Sequence, residues 1–523
     1  MKKLRWSLIV SLIAVSGMSA QTLADAIKLT RNEQYESADV IFKKLIQAQP
    51  NNGDLYFYYG ENFFKNENLT MAAEMYQTGA DVNATNPLPY VGIGKVLWYN
   101  GKQTEAKASF YKATTLSNKK NATVLLKIAE TYINADKKNL PDAFTLLATA
   151  TKLEPKNPEV YLLTGDAYLE QNDGSKAIEN YEKAASLDPK SVLAILRQGQ
   201  LYNRAKNYSL ALENYRKASL IDSSFAPAYR EKAEIYFRAG QYANAVGQYK
   251  RYLQLNDNCG ARGRYAGFLY KAKQYPASIE AANEAKKCDP NNVYLDRYIA
   301  YSSYETGDYE NGMTMSKTFF SKAGADKIIA LDYEYRGKLY AKTGNDSMAI
   351  LDYKKAMEMD SANTDLTNEM ANAYMKMKKY NDAIEMFKAK EREGKAGVND
   401  YFGLGRAYYY SKDFANADSA FSKIITAQPE LSIGYLWKAK ASVQSDPENK
   451  NWKAKEAYEN YLSKIKPEET ERNKRDMIDA YKYLAAYYAK KNDCANTKMY
   501  MEKILAIDAA NADAKKIIAG LKC

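Results

Sequence analysis

The residues able to do chemistry in this chain are unevenly supplied. It has 75 Lys and Arg, 63 Asp and Glu, four cysteines and no histidine. Without histidine, the commonest general base and the commonest transition-metal ligand are missing. Ser-His-Asp and Cys-His nucleophilic arrangements are excluded with it. Cys259, Cys288, Cys494 and Cys523 form no Cys-x-x-Cys and lack the paired spacing of a zinc site. No strand pattern is present to carry a Gly-rich phosphate loop. Carboxylates are plentiful, but nothing in the sequence gathers two into one apolar cleft. The expectation is a protein that is not an enzyme, with no cofactor and no metal, and that works by binding.

Whatever binds must be positioned by a repeat. A small residue returns about every 34 positions: Ala26, Gly60, Gly94, Ala129, Gly165, Gly199, Ala233, Ala266, Ala300, Gly337, Ala371, Gly405, Ala439 and Ala485. A fixed period of this length marks an array of helical units, not one core. It also accommodates 523 residues, because each unit of an array packs only on its neighbours. The clearest unit runs from Pro158 to Ser191. Tyr161, Gly165 and Tyr168 share one side of a first helix, and Ala177, Tyr181 and Ala184 follow at helical spacing on a second. Asn172-Asp173-Gly174 supplies the turn between them, and Pro189 closes the unit. Gly165 and Ala177 are the expected crossing points of two close helices, with Tyr168 and Tyr181 filling the space around them.

These in-phase positions resemble the tetratricopeptide repeat family over residues 21–511. The resemblance implies an all-α fold: a right-handed superhelical solenoid of about 14 helix-turn-helix units with a C-terminal capping helix over residues 512–523. The chain departs from the family pattern in places. Tyrosine mostly replaces the usual first-helix tryptophan, as at Tyr56, Tyr90, Tyr161, Tyr229, Tyr401 and Tyr435. The closing proline survives as Pro50, Pro155, Pro189, Pro290 and Pro429. The unit near 293–329 carries Gly312 and Ser316 at its second-helix positions. The period breaks from Ser445 to Arg475, which reads as a lengthened helix pair or loop.

The N-terminus has the three-part form of a secretory signal over residues 1–20. Lys2, Lys3 and Arg5 precede an apolar run from Leu8 to Val15, and small residues up to Ala20 offer cleavage before Gln21. The apolar run is too short to span a bilayer comfortably, so the mature chain is expected to have no membrane span. Export and an even cysteine count favour disulfides. Cys259 opens the first helix of its unit and Cys288 ends the second, so an antiparallel pair brings them together. Cys494 lies in the last turn, and the helix ending at Cys523 returns to it.

The resemblance also implies that first helices line a concave face, with the residues flanking the small position pointing into it. Carried onto this chain, that face reads Arg197, Gln200 and Arg204; then Arg230, Glu234 and Arg238; then Arg264 and Lys271. Arg297, Tyr298, Tyr301 and Tyr304 follow, then Tyr335 and Lys338. Arginine suits carboxylates and tyrosine supplies amphipathic contact area. A solvated inner face balanced by acids such as Glu231 and Glu234 is the other reading of the same residues. The Lys and Asn set with which some family members grip a C-terminal carboxylate is not found in phase. Most of the 46 tyrosines sit at packing positions, so nucleic acid is not an expected partner. The net charge of +12 is modest over this length and interspersed with acids. Three tripeptides, starting at Asp346, Asp360 and Asp418, resemble an O-glycosylation pattern of exported bacterial proteins, and each reads equally as a turn or helix start. The expected function is a non-enzymatic scaffold of the bacterial cell envelope. It would bind proteins or peptides of an envelope, secretion or motility assembly on the concave face. The alternative is a capture protein for a small peptide or glycan in an aromatic groove. The expected location is the periplasm, with outer-membrane association or the cell surface as the other options.

Overall fold

The computed structural model describes residues 21–360 and 366–522. The expected signal segment, Cys523 and part of the Asp360 tripeptide lie outside them. The described residues hold 29 α-helices and no strand. These make fourteen consecutive pairs, from Leu23–Arg31 with Tyr35–Ala48 to Thr470–Lys490 with Cys494–Ile507, followed by the single helix Ala512–Gly520. No described helix is long and apolar enough to cross a membrane.

Local chemistry explains each pair. Asn52, Asn86, Asn121, Asn157 and Ser191 cap first helices by accepting a first-turn backbone N–H. The turn into the second helix passes through a residue at positive φ, as at Glu33, Glu67, Gly101, Asn172 and Lys206. A second cap follows at once, as at Asn68, Asp173 and Asn207. All fourteen repeating small residues fall in first helices. Where that residue is glycine, its size is set by an aromatic ring sixteen residues on. A Cβ added at Gly165 would lie 2.5 Å from the Tyr181 ring, and one at Gly199 2.5 Å from Tyr215. Gly60 and Tyr76, Gly337 and Tyr353, and Gly405 and Phe421 repeat this contact at 2.4 to 2.6 Å. The ring occupies the space that a side chain there would need, so the second helix packs against bare backbone of the first.

The chain divides into two compact units, one ending at Leu295 and one starting at Asp296. The first holds eight pairs. The second helix of its eighth pair, Tyr275–Cys288, buries only small residues, Ser278, Ala282 and Ala285. The helix Tyr242–Leu255 before it buries Val246, Tyr249 and Tyr252. A disulfide between Cys259 and Cys288 ties the open ends of this pair. Cys494 is also disulfide-bonded. In the second unit the broken period is a longer connection followed by a longer helix. Residues 446–454 link Ser432–Ser445 to Lys455–Ser463, and Thr470–Lys490 then runs 21 residues. The Asp446 carboxylate folds the connection by accepting the backbone N–H groups of Lys450 and Asn451, each at 2.9 Å. Of the tripeptides, Asp346 begins a helix and Ser419 lies inside one.

Two outcomes test this packing. Gly165→Ala should destabilise the first unit by about 1–3 kcal/mol through overpacking. Gly247, mid-helix with open space where its Cβ would stand, should instead gain up to about 1 kcal/mol as alanine. Denaturant unfolding measures both. Reducing Cys259–Cys288, which closes a 29-residue separation, should cost ~3 kcal/mol, with hydrogen exchange rising first in the eighth pair.

Candidate binding surfaces

The inner position directly after the small residue forms a column along the array. In the first unit it reads Ile27, Glu61, Lys95, Glu130, Asp166, Gln200, Glu234 and Gly267. Its polar groups are consumed internally. Lys95 Nζ lies 2.9 Å from Glu61, both side chains being buried, and the Tyr76 hydroxyl donates to Glu61 at 2.6 Å. Burial pushes the Glu61 carboxyl up, but Lys95, Lys127 and the Tyr76 hydrogen bond together outweigh it and the net shift is downward. Lys127 bridges Glu130 and Glu159 at 2.9 Å each. Asp166 pairs with Arg197 Nε at 2.9 Å and accepts from the Tyr181 hydroxyl at 2.8 Å. Its burial prevails there and raises its pKa despite both partners.

The first unit also closes on itself. The turn of its first pair meets the sixth and seventh pairs, about 200 residues on. Arg230 Nη1 donates to both oxygens of Glu33 at 2.5 and 2.6 Å, and the Tyr252 hydroxyl donates to Glu33 at 3.0 Å. Asn32 Nδ2 donates to Asp222 and Ser224 at 3.1 and 3.0 Å, and Lys28 Nζ lies 3.1 Å from Asp222. A chamber of about 470 Å³ lies inside the closed ring, with Glu33, Arg31, Lys65, Lys127, Arg197 and Arg230 in its lining.

In the second unit the same column runs Tyr301, Lys338, Asn372, Arg406, Lys440 and Ala486. Lys338, Asn372 and Arg406, each 34 residues apart, line a groove of about 580 Å³ with Tyr304, Lys342, Tyr353, Lys376, Lys378, Tyr380 and Tyr410, and with one acid among the described residues, Glu369. Lys338 pairs with Glu334 at 2.6 Å, and Lys376 lies 3.6 Å from Asp346. Lys342, Lys378 and Arg406 have no ion pair among the described residues. Arg406 Nε is buried without an acceptor, and its guanidinium lies 5.7 to 5.8 Å from the Phe402, Tyr410 and Trp437 ring centres. The Tyr353 hydroxyl is buried without a partner in the same groove. The reason is the column. Tyr76 and Tyr181 find an acid fifteen residues earlier, whereas Tyr353 finds Lys338, whose ammonium is held by Glu334.

The residues expected to form a basic stripe are placed differently from one another. Arg197, Arg230, Arg264 and Arg297 are ion-paired, with Asp166, Glu33, Glu234 and Asp332 respectively. Arg204 and Arg238 are exposed and donate to the amide oxygens of Asn172 and Asn203. Tyr301 is buried, stacks on Tyr335 and donates to Asp332 at 2.7 Å. Tyr298 is half-buried. Only Tyr304 and Lys338 of the expected stripe line the groove. Arg406 and Tyr353 were missed, although reading the column after the small residue would have found the change from acids to bases.

The geometry is that of a helical-repeat binding array. Sequence profiles described as tetratricopeptide repeat match residues 134–192, 162–227 and 230–293, and 89–120, 336–363 and 401–431. The chain belongs to the tetratricopeptide repeat family. It is 32% identical to the C-terminal part of a TPR repeat-containing protein from Cytophaga hutchinsonii, over 49% of this chain and 98% of that one, with a TM-score of 0.45. A tetratricopeptide repeat protein from Parabacteroides merdae is 22% identical over 49% of this chain and 98% of its own, with a TM-score of 0.32. Heat shock protein STI1 of Saccharomyces cerevisiae is 27% identical over 179 residues, 33% of this chain. The chain thus matches only 28% of that relative's length. Repeats of this family serve as protein–protein interaction scaffolds.

The ring seam has a pH signature. Burial pushes the Asp222 carboxyl up, but hydrogen bonds from Ser224 and Asn32, with Lys28, outweigh it and hold it at about 2. A carboxyl lowered by folding contributes stability in full above its ordinary value of 3.8, and loses it as pH falls through about 2. Between pH 5 and pH 2, wild type should lose on the order of 1–2 kcal/mol that Asp222→Asn does not. Unfolding curves of the two at each pH measure it.

Proposed function

We propose that the protein is a non-enzymatic scaffold of the bacterial cell envelope, and that the inner groove of its second unit holds an acidic segment of a partner protein. The observation that carries the reading is Arg406. Its buried Nε lacks an acceptor, beside the equally unsatisfied Tyr353 hydroxyl, in a groove whose described lining has one acid against five basic side chains. A buried donor left unpaired costs free energy that a carboxylate would recover, and a guanidinium flanked by rings suits a planar anion. Export is supported by the form of residues 1–20 and by cross-linked cysteines, which persist in oxidising compartments. The periplasm is the location this favours. In the first unit, by contrast, most inner charges already have partners.

Fluorescence anisotropy with a labelled Asp/Glu-rich peptide, and a Lys-rich peptide of equal length, tests the groove. The acidic peptide should bind and the basic one should not. Arg406→Gln should weaken the acidic peptide at least about tenfold, or ~1.4 kcal/mol, with helicity unchanged. Arg204→Gln, on the first unit, should change little. Equal losses from both would remove the groove from the account.

A further inference from the structure

The helix Tyr208–Ile221, second of the sixth pair, differs from its neighbours in what it shows to solvent. Tyr208, Leu210, Leu220 and Ile221 are exposed, Leu220 to 70% and Ile221 to 42%. The second helices on either side, Gly174–Leu187 and Tyr242–Leu255, expose no large apolar side chain. Leu220 and Ile221 stand ten and eleven residues after Leu210, about three helical turns, so the three share one face with Lys217. Buried Ala211, Tyr215 and Ala218 occupy the opposite face. A lone exposed leucine is ordinary on a folded protein, whereas a stripe of aliphatic side chains on one helix is a surface with a use.

Cations gather at the end of that stripe. Lys232, from the next first helix, donates to the Ser219 hydroxyl at 3.2 Å and stands 4.3 Å from the Tyr229 ring centre. The Arg251 guanidinium lies 5.8 Å from the same ring and donates to the Ser223 carbonyl at 3.4 Å. The Tyr229 hydroxyl donates to that carbonyl at 3.3 Å. Residues 219–223 are thus held between two cations, while Leu220 and Ile221 among them face solvent. Arg216 is exposed one turn earlier. Lys232, Arg251 and Arg216 have no ion pair among the described residues. The acids at hand are already taken, Glu213 by Lys217 at 2.9 Å and Asp222 by Lys28 at 3.1 Å. Burial pushes the Lys232 ammonium down to about 8, so its charge lacks the partner that an anion would supply.

We propose that this face docks the protein on the surface of an anionic phospholipid bilayer. Leu210, Leu220 and Ile221 enter the boundary of the acyl chains, and Lys232, Arg251 and Arg216 meet lipid phosphates. Aliphatic side chains beside cations free of acids are the two halves of an interfacial helix, and one lipid supplies both complements, phosphate and hydrocarbon. A dissolved phosphate would satisfy the cations and leave the aliphatic side chains in water. None of these residues lines the chamber of the first unit or the groove of the second, so the surface is independent of what either holds.

Cosedimentation of the full chain with vesicles tests the surface. Vesicles of equimolar phosphatidylglycerol and phosphatidylcholine should carry the protein down, and vesicles of phosphatidylcholine alone should not. Leu220→Ser with Ile221→Ser should weaken partitioning at least about fivefold, and Lys232→Gln with Arg251→Gln at least about tenfold. Lys119→Gln with Lys120→Gln, an equal loss of charge between the third and fourth pairs, should leave it near wild type. Circular dichroism checks the fold of each variant; if Lys232→Gln disturbs it, Arg216→Gln with Arg251→Gln carries the same expectation. Failure to bind the anionic vesicles, equal binding to both kinds, or equal losses from the two charge variants overturns the proposal. So does anionic binding that Leu220→Ser with Ile221→Ser leaves unchanged, because the cations alone would then meet a dissolved phosphate or an acidic protein.

Discussion

The contact between a bare backbone and an aromatic ring governs the array. At Gly165 and Tyr181 there is no room for a methyl group, so the two helices of the pair meet at one register and one depth. The same constraint at Gly60, Gly199, Gly337 and Gly405 fixes the residue after each glycine on the inner face. Structure and binding chemistry are thereby linked. Packing chooses the small residue, and the next position is left to carry charge.

That position diverges between the two units. In the first, acids at 61, 130, 166 and 234 meet lysines and arginines of the same or neighbouring pairs, and the closed ring pairs Glu33 with Arg230 as well. Such pairs orient side chains more than they stabilise, since desolvation offsets much of their attraction. In the second unit the column turns to Lys338, Asn372 and Arg406. The acid that would satisfy the neighbouring tyrosine is absent, and two polar atoms are left buried without partners. A site of this kind is more costly empty than filled.

The fold was legible because its signal is local and repeated. Gly165, Ala177, Tyr181 and the Asn172-Asp173-Gly174 turn state a helix pair within 34 residues, and the period restates it. The cysteine pair at 259 and 288 followed from the same antiparallel geometry and is bonded in the structure. The inner face was less legible, because arginine by itself does not reveal its partner. Arg264 is gripped by Glu234, 30 residues earlier, and Tyr301 is turned inward by Asp332. The ring seam left no trace in the periodicity. It joins Glu33, a turn residue at positive φ, to Arg230 across 197 residues, and only the curvature of eight stacked pairs brings them together.

The most direct measurement is a hydrogen-exchange footprint of the full chain with and without the acidic peptide. Added protection should concentrate on Ala330–Lys342, Leu366–Lys376 and Val398–Tyr410, the first helices that carry Lys338, Asn372 and Arg406. Protection centred instead on Val192–Arg204 and Ala226–Arg238 of the first unit, or none on the second, would contradict the assignment of binding to the unsatisfied groove.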